Sequence, residues 1–291
     1  MPSLKDVKVK INWIKKTRQI TKAMNMVASA KLRNAQTRIE RFRPYAEKFY
    51  EMLGELASGA DESVHPLLAV REVVKTVGVV LVTSDRGLCG SFNANMIRTA
   101  LRIGRDKQAE GKAVKYYCIG KKGRDAVRKS GHEIVLQYRD VMNSFDFSLA
   151  SEVGVAVIDA YLSGALDEVI VVYGEFVSMA KQVPVTLPLL PITPAKGAEG
   201  GAAAKKDFIY EPSVEGLLAE LLPRFIKVQV YRGLLDTSAS EHAARMTAMD
   251  NATKACDDMS KALTLLYNKT RQAAITKELM DIVGGAEALK G

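Results

Sequence analysis

Residues Val7–Leu56 read VKVKINWIKKTRQITKAMNMVASAKLRNAQTRIERFRPYAEKFYEMLGEL, and their spacing decides the fold. Alternate steps of four and three from Val7 land on Ile11, Ile14, Arg18, Thr21, Asn25, Ala28, Leu32, Ala35, Ile39, Phe42, Ala46, Phe49, Leu53 and Leu56. Twelve of these fifteen positions are apolar. Such a repeat, sustained over seven heptads, makes a seam that one helix buries against another. The three polar positions, Arg18, Thr21 and Asn25, are consecutive along the seam and lie beside Met24, Met26 and Val27. That inversion predicts a stretch touching something besides its partner helix. Pro44 removes a backbone donor and predicts a kink or an interruption.

The partner lies at the far end of the chain. The same stepping from Val214 through Leu218, Leu221, Phe225 and onward to Ala274 finds thirteen of eighteen positions apolar. Pro212-Ser213 supplies a helix start with Ser213 as N-cap, and Gly284-Gly285 supplies a stop. Pro223 and Gly233 predict a bend early in this helix. Between the two seams the pattern changes. Strands are expected at Val77–Thr83, Val114–Ile119, near Ile134 and at Glu168–Tyr173. Helices are expected from about Asn93, at Gly123–Lys129 and at Ser148–Leu162. Strands alternating with helices at this spacing imply βαβ units and a mainly parallel sheet. The proline-bearing stretch GEFVSMAKQVPVTLPLLPI suits an edge strand, and PAKGAEGGAAAKK suits a flexible loop. The expected fold is therefore α/β: a long antiparallel coiled coil of the terminal helices plus a central Rossmann-like domain. Its divisions are an N-terminal helix at 1–57, an α/β domain at 73–210 and a C-terminal helix at 213–285.

Composition removes several function classes. No apolar run approaches the roughly 20 residues of a membrane helix. The N-terminus has neither an apolar signal core nor a small-residue cleavage site, so no segment is expected to be removed. Three scattered cysteines predict a reducing compartment without a disulfide framework, and three histidines without a CxxC predict no metal site. The net charge is +9, and its location matters: residues 1–57 hold 13 Lys and Arg against 5 Asp and Glu. Such a local excess calls for an acidic partner, whether nucleic acid, anionic lipid or an acidic protein surface.

Each candidate for chemistry has a plainer reading. The stretch TSDRGLCGSFNAN follows a strand and opens a helix, where glycines can cradle a phosphate. Its spacing is G-x-x-G, without G-x-G-x-x-G or G-K-[ST], so a tight turn through Gly87 and Gly90 is the plainer reading. A nucleotide- or metabolite-binding α/β protein with helical arms stays as the alternative function. Cys89 sits at a helix N-terminus, which lowers thiol pKa values, yet no spacing nominates His65 or His132 as its base. Asp85 and Glu175 lack carboxylate partners. The lysines and arginines of the first helix are spread over many turns and share them with an apolar seam, unlike the basic arm of a DNA-binding zipper. No catalytic, cofactor or metal residue is nominated.

Three motifs in order carry a resemblance. IKKTRQITKAMNMVASAKLR (Ile14–Arg33) with RPYAEKF (Arg43–Phe49), then VTSDRGLCGSFNANM, then SEHAARMTAMDNAT (Ser240–Thr253), LYNKTRQAAITKEL (Leu266–Leu279) and DIVGGAEAL (Asp281–Leu289) resemble the gamma subunit family of the F-type rotary ATP synthase. The likeness spans essentially the whole chain. The paired-cysteine insertion of chloroplast members and a transit peptide are both absent, so the chain resembles the bacterial branch. The resemblance implies a central stalk rotor inside a ring of alpha and beta subunits, with the α/β domain meeting epsilon and the c-subunit ring. It implies a non-catalytic subunit, peripheral on the cytoplasmic face of the inner membrane, which couples proton or sodium flow to the beta catalytic sites. Contacts with the alpha/beta head map onto Met24, Arg271, Gln272 and Thr276; foot contacts with epsilon or the c ring map onto Phe208 and Tyr210. The acidic partner becomes an acidic loop of beta, with no nucleic acid and no cofactor.

Antiparallel pairing anchored at the α/β domain also makes a geometric expectation. Residue numbers of facing positions should total about 269, within two turns. The longer C-terminal helix should then end in an unpaired tip beginning near Tyr267, about 25 Å long at 1.5 Å per residue.

Overall fold

The computed structural model describes residues 3–58, 65–192 and 214–288. In chain order the elements are α1 (Leu4–Ser58), β1 (Thr76–Val82), α2 (Phe92–Ala109), β2 (Ala113–Ile119), α3 (Lys121–Lys129), β3 (Glu133–Tyr138), α4 (Phe147–Leu162), β4 (Glu168–Phe176), β5 (Gln182–Leu190) and α5 (Val214–Ala288). By contact they divide into two compact units, Ser29–Arg245 and Met1–Ala28 with Met246–Gly291.

The larger unit holds one five-stranded sheet in the order β3-β2-β1-β4-β5. The first four strands are parallel, and β5 closes one edge antiparallel to β4. β5 carries Pro184 and Pro188, as the proline-bearing stretch predicted for an edge. Alternation along the central strands separates two cores. Val80, Val82, Val169 and Val171 join Val153, Val157 and Tyr161 of α4 and Leu218, Leu222, Ile226 and Val230 of α5. Val77, Val79, Leu81, Ile170 and Val172 face the other way, onto Phe92, Met96 and Ala100 of α2 and Val127 of α3. Apolar side chains on both faces explain the near-continuous apolar runs of β1 and β4. Asp146 caps α4 by accepting from the Ser148 amide at 3.0 Å.

The seam of α1 is as the periodicity reads. Among its described side chains, the fully buried ones are Val7, Thr21, Ala28, Leu32, Ala35, Ala46, Phe49 and Leu53, and every one is a seam position. One expectation is corrected: α5 passes through Gly284 and Gly285 to Ala288, so the glycine pair is no stop. α1 runs through Pro44 and α5 through Pro223, so neither proline interrupts its helix. A continuous helix tolerates these residues where other contacts hold the backbone, each at its own local cost. Ser213, the expected N-cap, lies outside the described residues.

Pairing is antiparallel in each unit. In the larger one, Arg38 donates to the Tyr231 hydroxyl and Tyr50 packs edge-on against Phe225. In the smaller one, Arg18 pairs with Asp257 and Thr21 bonds Thr253. The expected partners of Arg18 and Thr21 were residues 251 and 248. The observed offsets of six and five residues fall within the two turns allowed.

Candidate functional site

In an open parallel sheet, ligands bind at the carboxyl ends of strands where the strand order reverses. Here that point lies between β1 and β4, and α5 fills it. Gly174, near the end of β4, donates its amide to the Thr237 hydroxyl at 3.2 Å and accepts from the Ser240 hydroxyl at 3.0 Å. A β-carbon on Gly174 would lie 2.5 Å from the Phe92 ring, so glycine is what lets β4 and α2 meet there. Beyond it, Arg245 bonds Glu241 at 2.6 Å and donates to the Gly87 carbonyl at 3.1 Å. α5 is buried on every side from Gly233 to Ala243. Periodicity missed this: the four-three stepping puts Leu235, Ala239 and His242 on the seam and passes over Thr237 and Ser240, which bond the end of β4. The buried Glu241–Arg245 pair was the available signal, since such charges are seldom buried without a structural partner.

The TSDRGLCGSFN turn beneath α5 is held by its own side chains. Asp85 accepts from three backbone amides, those of Lys121 at 2.9 Å, Asp140 at 2.9 Å and Met142 at 3.0 Å. These follow β2 and β3, so one carboxylate ties together the loops leaving three adjacent strands. Ser84 and Asn93 bond each other across the turn. Burial pushes the Cys89 thiol above its ordinary value and the Cys118 thiol up to about 12, opposite to the shift of an activated thiolate. The ring of His65 accepts from the Leu67 amide at 3.1 Å, bracing a turn.

In the smaller unit the three polar seam residues are satisfied by α5 itself. Arg18 meets Asp257, Thr21 meets Thr253, and the Asn25 amide donates to the Met246 carbonyl at 2.8 Å. These rungs set the register of the pair. The expected apolar outer face is observed. Trp13 is 70% exposed, and Val9, Ile20, Met26 and Val27 are also exposed. Around them Lys5, Lys8, Lys10, Lys15, Lys16 and Lys22 face outward.

Met24 is half-buried on α1, while Arg271, Gln272 and Thr276 are exposed on α5. No hydrogen bond or ion pair engages these four among the described residues. Phe208 and Tyr210 lie outside the described residues. Past Tyr267 the helix exposes Ile275, Leu279, Met280, Ile282 and Val283, the last four each more than half exposed. That is the apolar tip the difference in helix lengths requires. No helix among the described residues is long and apolar enough to cross a membrane.

A family model described as ATP synthase matches residues 3–289. The ATP synthase gamma chain of Nitratidesulfovibrio vulgaris strain Hildenborough is 73% identical over 291 residues, covering all of both chains. That of Lawsonia intracellularis is 54% identical over 290 residues, again with full coverage of both. Among solved structures, a chain of the Euglena gracilis mitochondrial ATP synthase, in an assembly of OSCP, F1 and c-ring, superposes with a TM-score of 0.69 at 22% identity. The match covers 98% of this chain and 94% of that one. It shows a shared fold of paired terminal helices around a mainly parallel sheet. With the family model and the full-length relatives in agreement, the chain belongs to the gamma-chain family of the ATP synthase.

Proposed function

We propose that the chain is the rotor of its ATP synthase, a non-catalytic shaft that a ring of alpha and beta subunits surrounds. Proton or sodium flow through the c-subunit ring turns it, and its turning drives the beta catalytic sites through their conformations in sequence. The observation that carries this reading is the exposed apolar end of α5, with Leu279, Met280, Ile282 and Val283 more than half exposed on one helix. A lone helix with that surface is poorly placed in water, and an enclosing apolar bearing receives it. The lysine-rich outer face of α1 supplies the second element, since it complements an acidic loop on beta.

The neighbouring solved structures support the same assignment of partners. One is the central stalk and c-ring of the Tetrahymena thermophila mitochondrial enzyme, and another is the Euglena gracilis rotor. By this analogy the α/β domain joins epsilon and the c ring, with Phe208 and Tyr210 at that foot. Met24, Arg271, Gln272 and Thr276 meet the alpha/beta head. The chain is then peripheral, on the cytoplasmic face of the bacterial inner membrane. Its surface suits repeated making and breaking of contacts. Exposed ion pairs contribute about 0–1 kcal/mol each, whereas buried anchors of about 2 kcal/mol or more would trap one angle.

The double substitution Arg271→Ala with Gln272→Ala tests the head contacts. Both side chains are exposed and unpaired among the described residues, so the isolated chain should unfold within about 1–2 °C of its normal temperature. Each hydrogen bond to a charged group contributes about 1.5–3 kcal/mol. ATP hydrolysis by the reassembled complex should therefore fall several-fold. Unchanged hydrolysis would remove these two residues from the interface.

A further inference from the structure

Where α1, β4 and α5 meet in the larger unit, a cleft of about 190 Å³ opens. Its charged and titratable lining comes from all three elements: Arg43, Glu47 and Tyr50 on α1, Glu175 on β4, and Arg232 and Asp236 on α5. Asp236 is only 8% exposed, a degree of burial that carboxylates accept when they are hydrogen-bonded. This one is not. Its one ion-pair contact is Arg232 Nε at 3.7 Å, beyond hydrogen-bond reach, and no described group donates to it. The phenols of Tyr50 and Tyr173 also lie near the Arg232 guanidinium, and the buried Tyr50 hydroxyl has no hydrogen-bond partner among the described residues.

We propose that this cleft holds an acid-sensitive contact, in which Asp236, on taking up a proton, becomes a hydrogen-bond donor to Glu175 and adds to the two bonds by which Gly174 already ties the end of β4 to α5. Ionised, the two carboxylates lining one cleft repel each other. Singly protonated, they form an O–H to carboxylate bond, a charge-assisted type roughly twice as strong as a neutral one. The chemistry around Asp236 agrees. Burial pushes its carboxyl up to about 6; Arg232 opposes this, Glu175 adds to it and Arg43 opposes it.

The sign follows from the raised value. Burial penalises the ionised form, so the folded state is favoured at low pH and loses that advantage as pH rises from the ordinary aspartate value to about 6. Between pH 7 and pH 5 the folded-to-unfolded ratio should gain about tenfold from this group alone. Asp236→Asn, which is neutral throughout, should lose that gain when denaturant unfolding of the full chain is followed at both pH values. The same tenfold gain persisting in the variant would overturn the proposal. Carbon-13 titration of the unsubstituted chain guards against a variant that fails to fold. It should place the Asp236 midpoint near 6, and an ordinary aspartate midpoint would overturn the proposal. Glu175→Gln separates the influence of Glu175 from simple burial: the Asp236 midpoint should fall measurably, and an unchanged midpoint would remove Glu175 as the acceptor.

Discussion

Asp85→Ala should lower the unfolding temperature of the chain by about 8–15 °C. The carboxylate accepts from the amides of Lys121, Asp140 and Met142, and the residue is 6% exposed. Removing it leaves three donors without a partner, each costing about 1–3 kcal/mol where water cannot replace the bond. Water can reach some of them, so a total of about 3–5 kcal/mol is expected. In a domain of this size each kcal/mol moves the midpoint by about 2–4 °C. Asp140 adds to the effect, because it sits at φ 59°, a left-handed conformation that its bonded amide helps to hold. Asp85→Asn keeps one acceptor oxygen and should recover part of the loss. Calorimetry on the three chains checks the order. An alanine variant within about 2 °C of the parent would show that the three loops are held by other means.

Replacing Ile275, Leu279, Ile282 and Val283 with glutamine should produce the opposite profile, an intact chain inside a failing machine. All four side chains are exposed, and glutamine is a good helix former, so the chain should fold with nearly its original stability. Burying one such side chain in a bearing contributes about 1.5–3 kcal/mol. Four of them contribute several kcal/mol even if the bearing covers each only in part. A loss of about 1.4 kcal/mol is already tenfold in an equilibrium. ATP synthesis by reconstituted complexes should therefore drop at least tenfold, through poor assembly or slippage. Synthesis at the parental rate would mean that the exposed tip meets nothing that matters.

These two predictions differ in how far the sequence alone supports them. The tip was legible, because helix length is countable and apolar residues on an unpaired helix are visible in one dimension. The α1 seam was legible for the same reason, and its buried residues all fall on the four-three stepping. Asp85 was not: its partners are three backbone amides on two other loops, and an amide carries no side-chain signature to search for. The inner face of α5 was also hidden, since Thr237 and Ser240 lie off the seam stepping and nothing local marks them as a sheet contact. Arg18, Thr21 and Asn25 were legible as polar intruders in the seam, but their partners on α5 were not. Each finds a group on α5 at a position that only the exact register supplies. The cleft at Asp236 needs three elements far apart in sequence, so no local pattern points to it. Arg271, Gln272 and Thr276 rest on resemblance, because exposed polar residues on a helix look alike until a partner is present.

Rotation itself can be watched directly. Cys89, Cys118 and Cys256 are all buried free thiols, so an exposed cysteine introduced by Arg128→Cys on α3 would carry a label selectively. With the alpha/beta ring fixed to a surface and a bead attached at that position, added ATP should turn the bead in one direction, in thirds of a revolution. A complex that hydrolyses ATP at its full rate while the bead only jitters about one angle would contradict the rotor.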